Sequence, residues 1–177
     1  AAEEVVRRSG ARWTIVRASW FAQNFSEGML LDGVLAGVIA IPGGSVREPF
    51  VDVEDIADVA AAALGGSGHD HRTYDVTGPR LMTFAEAADE LSVAGHPVTY
   101  LDVTPAEFLA GAVADGVPEA VAEMLVLMFE NVLDGRNSHL GDGVVEALGR
   151  PPRDFREFVS RAAADGAWSA AVAREAS

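Results

Sequence analysis

The chain has 177 residues, of which 49% are hydrophobic and 23% charged, as is typical of one globular domain with its own core. Its formal net charge of -14 would repel a phosphate backbone or an anionic lipid surface, so neither nucleic-acid nor membrane binding is expected. All 13 basic residues are arginines and there is no cysteine, which excludes disulfides, thiolate nucleophiles and any mechanism that needs a lysine of this chain.

The first 64 residues are predicted to contain three helices and two short strands. A helix over residues 1–9 leads into an apolar, β-branched run at residues 13–16, which is typical of a buried strand. Apolar residues at helical spacing predict a helix over residues 21–36. A short strand is expected at residues 50–53, and the acidic residues that follow favour a helix start before residues 56–64.

The remaining residues are predicted to contain two more strands and then only helices. Strands are expected at residues 73–76 and 98–103, and the pairs Thr83/Glu86 and Thr104/Glu107 are capping boxes that mark helix starts. The later helices are expected at residues 104–115, 118–133, after 142, and 154–164. The pattern predicts an α/β portion followed by a helical portion that packs onto it as a cap.

Two segments carry a family resemblance. Residues 12–25 and 49–60 resemble the NmrA-like branch of the atypical short-chain dehydrogenase/reductase superfamily. Further motifs in the same order are residues 74–78, 97–100 with 104–108, and 134–137 with 149–155. The resemblance covers essentially the whole chain, and the order of the motifs carries it.

The resemblance implies a fold and a cofactor. It implies the C-terminal part of a Rossmann-like doubly wound sheet, with residues 1–103 as a partial α/β portion and residues 104–177 as a helical substrate-side cap. NAD or NADP is the implied cofactor. The family's Gly-rich phosphate loop has no match, because neither Gly43-Gly44 nor Gly65-Gly66 joins a strand to a helix with the required spacing. The N-terminal Gly-rich half is therefore expected to be absent from this chain.

The resemblance also implies site residues just after the first strand, where open α/β sheets bind ligands. The cofactor residues would be Ala18, Ser19, Trp20 and Phe21, which would lie beside the nicotinamide. The substrate residues would be Gln23, Asn24 and Phe25, together with Arg136 and Asn137 if these two line the cleft rather than cap a helix. An alternative is that Trp20, Phe21 and Phe25 are core aromatics at a strand–helix junction.

No catalytic residue and no metal site can be assigned. The superfamily's Tyr-x-x-x-Lys pair is absent because the chain has no lysine, and the family's usual proline is replaced by Ala18. We interpret His69 and His71 as residues of a solvated loop, since i and i+2 neighbours usually diverge. The carboxylates at 52, 54, 55 and 58 are more simply explained by a helix start than by acid/base chemistry.

The function that these observations favour is the substrate-side portion of an NAD(P)-dependent oxidoreductase acting on a small carbonyl or quinone-like acceptor. One alternative is a non-catalytic, dinucleotide-sensing regulator that binds a protein partner. Another is a nucleotide-free packing or oligomerisation module. A small-molecule substrate and a homo-oligomer or protein partner are the expected binding partners. Because no apolar run is long enough to cross a bilayer and the N-terminus does not resemble a signal peptide, a cytoplasmic location is expected.

Overall fold

The computed structural model describes residues 2–169, which form eight α-helices, one 3-10 helix and four β-strands. The first half contains α1 (Ala2–Arg8), β1 (Thr14–Ala18), the 3-10 helix (Ala22–Phe25), α2 (Leu31–Ala36), β2 (Val38–Ile41), α3 (Val53–Gly65) and β3 (Arg72–Val76). The second half contains α4 (Phe84–Val93), β4 (Thr99–Asp102), α5 (Pro105–Ala114), α6 (Glu119–Val132), α7 (Gly143–Leu148) and α8 (Phe155–Ala164). No helix within residues 2–169 has the length and apolar character needed to cross a membrane.

The strands form two parallel pairs. β1 pairs with β3, with Val16 opposite Tyr74, and β2 pairs with β4, with Ile39 opposite Tyr100. Parallel neighbours require crossover connections, which here contain helices. The arrangement confirms the predicted α/β class.

Two of the predictions near β1 are wrong. The single helix expected at residues 21–36 is a 3-10 helix followed by the short α2, and the i→i−4 pattern is interrupted where Leu30 N–H donates to Asn24 O (3.0 Å) six residues back. The preceding Ala22 N–H donates to Val51 O (2.8 Å). The strand expected at residues 50–53 is one isolated parallel bridge between Phe21 and Val51. Strand β2 was not expected, because a four-residue run between Gly37 and Pro42 is too short to show a clear alternation.

The local helix signals are confirmed. Thr83 Oγ1 accepts from Glu86 N–H (3.1 Å) and Thr83 N–H donates to Glu86 (2.8 Å), and Thr104 and Glu107 make the same reciprocal pair. Helices α5 to α8 follow the predicted order. The division of the chain at residue 103 stays a prediction.

The core contains a cluster of aromatic rings from distant parts of the chain. Phe25 packs edge-on against Phe50 (ring centroids 5.4 Å apart) and against Phe155 (5.2 Å), and all three are buried. Trp20 and Phe84 extend the cluster towards the end of β1. Aromatic pairs in these geometries add about 0.5–1.5 kcal/mol each beyond their buried area.

We predict that β1 makes the chain self-associate or recruit a partner. Its one strand neighbour among residues 2–169 is β3, and Ile15 and Val16 are only partly buried. An unpaired strand edge with apolar side chains is a template for intermolecular pairing. Light scattering after size-exclusion chromatography should show a concentration-dependent mass that Ile15→Lys lowers. Val93→Lys, at an exposed apolar residue ending α4, is the matched control. A wild-type chain that stays monomeric at every concentration contradicts the prediction.

Candidate functional site

A cavity of about 410 Å³ lies at the carboxyl ends of β1 and β3. This edge of a parallel sheet is where α/β proteins bind ligands. The lining residues come from the end of β1, the segment before α3, the end of β3 and the region after α6. They are Arg17, Ala18, Ser19, Trp20, Glu48, Asp75, Thr77, Val132, Asn137 and His139.

The turn after β1 is fixed by hydrogen bonds that involve its serine. Ser19 N–H donates to Val76 O (3.2 Å), which extends the β1–β3 ladder by one residue. The Ser19 hydroxyl donates to the carbonyl of Pro49, so it already has a structural partner. The turn is therefore tied both to β3 and to the segment that precedes α3.

That segment, residues 48–51, is held on both sides through its backbone. Val51 N–H donates to Trp20 O (2.9 Å) on one side, while Glu48 and Met82 exchange two backbone hydrogen bonds (2.8 and 3.0 Å) on the other. Gly78 lies so close that a Cβ there would be 2.0 Å from the carbonyl oxygen of Phe50. The backbone cannot shift readily, and it fixes the position of Glu48 on the cavity wall.

The loop at residues 136–141 forms the facing wall. Ser138 Oγ donates to Arg47 O (2.6 Å), and Gly141 N–H donates to Thr77 Oγ1 (3.0 Å). A Cβ on Gly141 would lie 2.3 Å from Asp75 O, so only glycine permits this approach of the loop to β3. These contacts place Asn137 and His139 at the cavity.

Two buried polar atoms of the lining residues have no hydrogen-bond partner within residues 2–169: Nε1 of Trp20 and Oε1 of Glu48. The Trp20 ring packs against Phe84 and Phe129, and its side chain is buried. Glu48 is only 1% exposed. Buried polar groups are normally paired, and an unpaired one costs about 1–3 kcal/mol. Both atoms belong to residues that line the same cavity, which makes this cavity the candidate ligand site.

The electrostatics of the cavity centre on Glu48. Burial raises the pKa of Glu48 to about 7, and the negative charge of Asp134 acts in the same direction. Arg17, the cation of the lining, is engaged by Glu3 (2.7 Å) and Asp75 (3.4 Å). Its hydrogen bond lowers the pKa of Glu3 to about 2. A neutral Glu48 can both donate and accept a hydrogen bond.

The structure brings four of the sequence-predicted site residues to the cavity, namely Ala18, Ser19, Trp20 and Asn137. Phe21 follows them in the same turn and is 42% exposed.

The other predicted residues lie elsewhere. Gln23 donates to Asp52 Oδ1 (2.8 Å) and accepts from Val53 N–H (2.9 Å) at the start of α3. Asn24 is half-buried beside Gly28, Phe25 is fully buried in the aromatic core, and Arg136 is exposed and paired with Asp134. The roles of these residues in binding stay predictions.

Glu48, Thr77 and His139 line the cavity although sequence reasoning did not select them. Thr77 lies within a motif that carried the resemblance, which was a usable signal. Glu48 stands beside an arginine at the start of an apolar run, a position at which a charged residue is usually solvated. Its burial depends on pairing with Met82, which lies 34 residues later and leaves no local signal.

The acidic residues at α3 have structural partners. Asp52 caps the helix by accepting from Glu54 N–H (3.0 Å), which confirms the helix-start interpretation. Asp55 and Asp58 are ion-paired with Arg150 and Arg153.

The residues of the histidine loop also have separate partners. His69 hydrogen-bonds Tyr74 (2.8 Å) and His71 packs on Trp13. Within residues 2–169, no group of three or more His, Asp or Glu side chains could hold a metal ion.

Comparison with known proteins gives sequence relatives but no match to a family model. The chain is 34% identical over 168 residues to an NAD(P)H azoreductase of Xenophilus azovorans, covering 93% of this chain and 58% of the relative. It is 31% identical over 157 residues to prestalk A differentiation protein A of Dictyostelium discoideum, covering 88% and 52%. The chain thus spans about half the length of the curated relatives it matches.

Solved structures confirm the predicted Rossmann-like fold. The triphenylmethane reductase of Citrobacter sp., complexed with NADP(H), matches with a TM-score of 0.76 and 27% identity, over 90% of this chain and 56% of that one. An NADPH-dependent quinone oxidoreductase of Escherichia coli matches with a TM-score of 0.76 and 24% identity, which supports the fold alone.

We predict a pH-dependent stability that originates at Glu48. Because folding raises its pKa from 4.5 to about 7, the native state binds this proton more tightly than the unfolded state does. Glu48 therefore contributes its full share to the free energy of unfolding below pH 4.5. This contribution, at most roughly 3 kcal/mol, is lost as the pH rises to about 7. Urea unfolding across this range should show the decline in the wild type and not in Glu48→Gln. Glu130→Gln, at an exposed position of α6, should behave as the wild type. Parallel pH profiles for all three proteins would refute the assignment.

Proposed function

We propose that this chain belongs to the NmrA-like branch of the atypical short-chain dehydrogenase/reductase superfamily and is the substrate-side portion of an NAD(P)-dependent oxidoreductase. Its acceptor is a small carbonyl or quinone-like molecule. The observation that carries the proposal is the cavity at the ends of β1 and β3, with two unpaired polar atoms among its lining residues. Its volume of about 410 Å³ lies in the range of small-molecule sites, which is roughly 300–1,000 Å³.

The residues present fit a nicotinamide ring. Ala18 is small enough to leave room beside the turn, and Trp20 offers an unpaired indole N–H. This donor is available to the acceptor oxygen, so the nicotinamide ring would be held by contact with the turn and not by the indole N–H. When bound, the dinucleotide supplies a hydride, and Ala18, Ser19 and Trp20 are the residues that would hold its ring. No residue is assigned to its pyrophosphate, because the chain contains no match to the Gly-rich turn.

The residues around the cavity orient the acceptor and limit its access to water. The Trp20 ring is immobilised between Phe84 and Phe129, so its N–H has a fixed direction. Asn137, on the facing wall, donates one amide N–H to Val132 O at the end of α6 (3.3 Å), and its second N–H can donate to an acceptor oxygen without adding charge. Fixed neutral donors suit a neutral acceptor that gains electron density during reduction.

The test is turnover by the protein encoded by the complete reading frame. NADPH and NADH are supplied with a panel of quinones, azo dyes and aldehydes. Reduction of at least one acceptor is the expected result. Dinucleotide binding without reduction of any acceptor contradicts the proposal and favours a sensing regulator.

We further predict that Asn137→Ala lowers kcat at least tenfold, which corresponds to an increase of about 1.4 kcal/mol in the activation free energy. The loss comes from a donor facing the acceptor, so NADPH affinity and melting temperature should change little. Asn24→Ala is the comparison, because the family resemblance selects both residues whereas only Asn137 lines the cavity. If Asn24→Ala lowers kcat tenfold and Asn137→Ala keeps full activity, then Asn24 and not Asn137 donates to the acceptor.

A further inference from the structure

We propose that Glu48 is the acid of this cavity and donates the proton that the acceptor oxygen takes up on reduction. The indole N–H of Trp20 binds an acceptor oxygen in the same cavity. This inference rests on the proposed function and assigns to it a catalytic residue that lies outside the sequence motifs.

The side chain of Glu48 lies at the wall of the cavity. The backbone of Glu48 exchanges two hydrogen bonds with Met82, which fixes where its side chain leaves the chain, and the side chain is only 1% exposed. Its neighbour Arg47 does not neutralise it, because the guanidinium is bound to Glu86 (3.1 Å) and to the carbonyl of Leu81 (3.2 Å). The carboxyl group is thus buried on the cavity wall, with Oε1 unpaired.

The buried position of Glu48 favours the protonated form of its carboxyl group. An isolated buried carboxylate is costly, whereas the neutral acid avoids most of that cost. Burial accordingly raises the pKa of Glu48 to about 7. A general acid works best when its pKa lies near the working pH, because it is then protonated and still able to lose its proton.

The other charged groups around the cavity leave Glu48 as its proton donor. Arg17 and Asp75 are paired with each other, and Asp134 is held by Arg136. His139 lines the cavity but is exposed. Glu48 is the buried titratable group of this set.

The unpaired atoms of Trp20 and Glu48 determine which ligands the cavity can recognise. An indole N–H is only a donor, and a neutral carboxyl can donate as well. Together they fit a ligand with hydrogen-bond acceptor oxygens, as in a quinone, an enone or a ketone. An ammonium ligand, which has no acceptor, would leave the N–H of Trp20 unpaired.

The step balances as a two-electron reduction. A carbonyl gains one hydride, which the nicotinamide supplies, and one proton, which Glu48 supplies. The O–H bond of the Glu48 carboxyl breaks and a new O–H bond forms on the acceptor oxygen. The carboxylate that remains takes up a proton from solvent through the open side of the cavity.

The first test observes the proton without turnover. Carbon-13 NMR of protein labelled at the glutamate carboxyl groups should show one resonance that titrates near pH 7. That resonance should disappear in Glu48→Gln and persist in the exposed control Glu130→Gln. An ordinary titration of every glutamate would overturn the proposal.

The second test uses the protein encoded by the complete reading frame, with NADPH and 2-methyl-1,4-naphthoquinone. Glu48→Gln should lower kcat by about 10²–10⁴-fold, the usual contribution of a general acid, with little change in KM. It should also remove the fall of kcat above pH 7. Glu48→Asp, which keeps the acid on a shorter stem, should recover part of the rate.

The outcomes separate the two proposals. If the wild type reduces the quinone and Glu48→Gln does so equally well, the role of Glu48 is wrong and the proposed function stands. If the wild type reduces no acceptor on the panel, the proposed function fails, and the catalytic role of Glu48 fails with it. Melting temperatures of the variants show whether a lost rate comes from lost folding. In that case Glu48→Asp and the NMR titration of the wild type decide.

Discussion

The backbone pairing of residues 48–51 is the constraint on which the site depends. This segment is bonded on one side to the turn after β1 and on the other to Met82 and Gly78. These bonds link the two strand ends and bring Ser19, Trp20 and Glu48 to one cavity. Because the contacts are between backbone atoms, they hold for many side chains, and the lining residues can differ without loss of the frame.

The aromatic core packs against one side of the cavity, where Trp20 contacts Phe84 and Phe129. Trp20 belongs to both, since its ring is packed among core phenylalanines while its N–H is unpaired. The unpaired N–H of Trp20 and the unpaired oxygen of Glu48 both lower the free energy of unfolding. Such local costs are typical of functional sites, where groups are oriented for a ligand rather than for one another.

How far the sequence predicts this molecule depends on the range of the interaction concerned. The capping boxes at Thr83 and Thr104 act within four residues and were predicted correctly. The position of Ala18 to Trp20 followed from the rule that ligands bind at strand ends, together with the family resemblance. Ala22, at the start of the interrupted helix, and Glu48 are hydrogen-bonded to partners about 30 residues away. Because the residues near Trp20 and Glu48 in the sequence do not indicate these distant partners, neither the interrupted helix nor the burial of Glu48 could be predicted.

The close approach of Gly141 to β3 determines how wide the cavity can be. The distance between the facing walls is set by two backbones in contact, not by the bulk of any lining side chain. A residue larger than glycine at position 141 would push the whole loop, with Asn137 and His139, away from Asp75. Substitution of Gly141 alone would thus widen the cavity and leave the residues of the opposite wall unchanged.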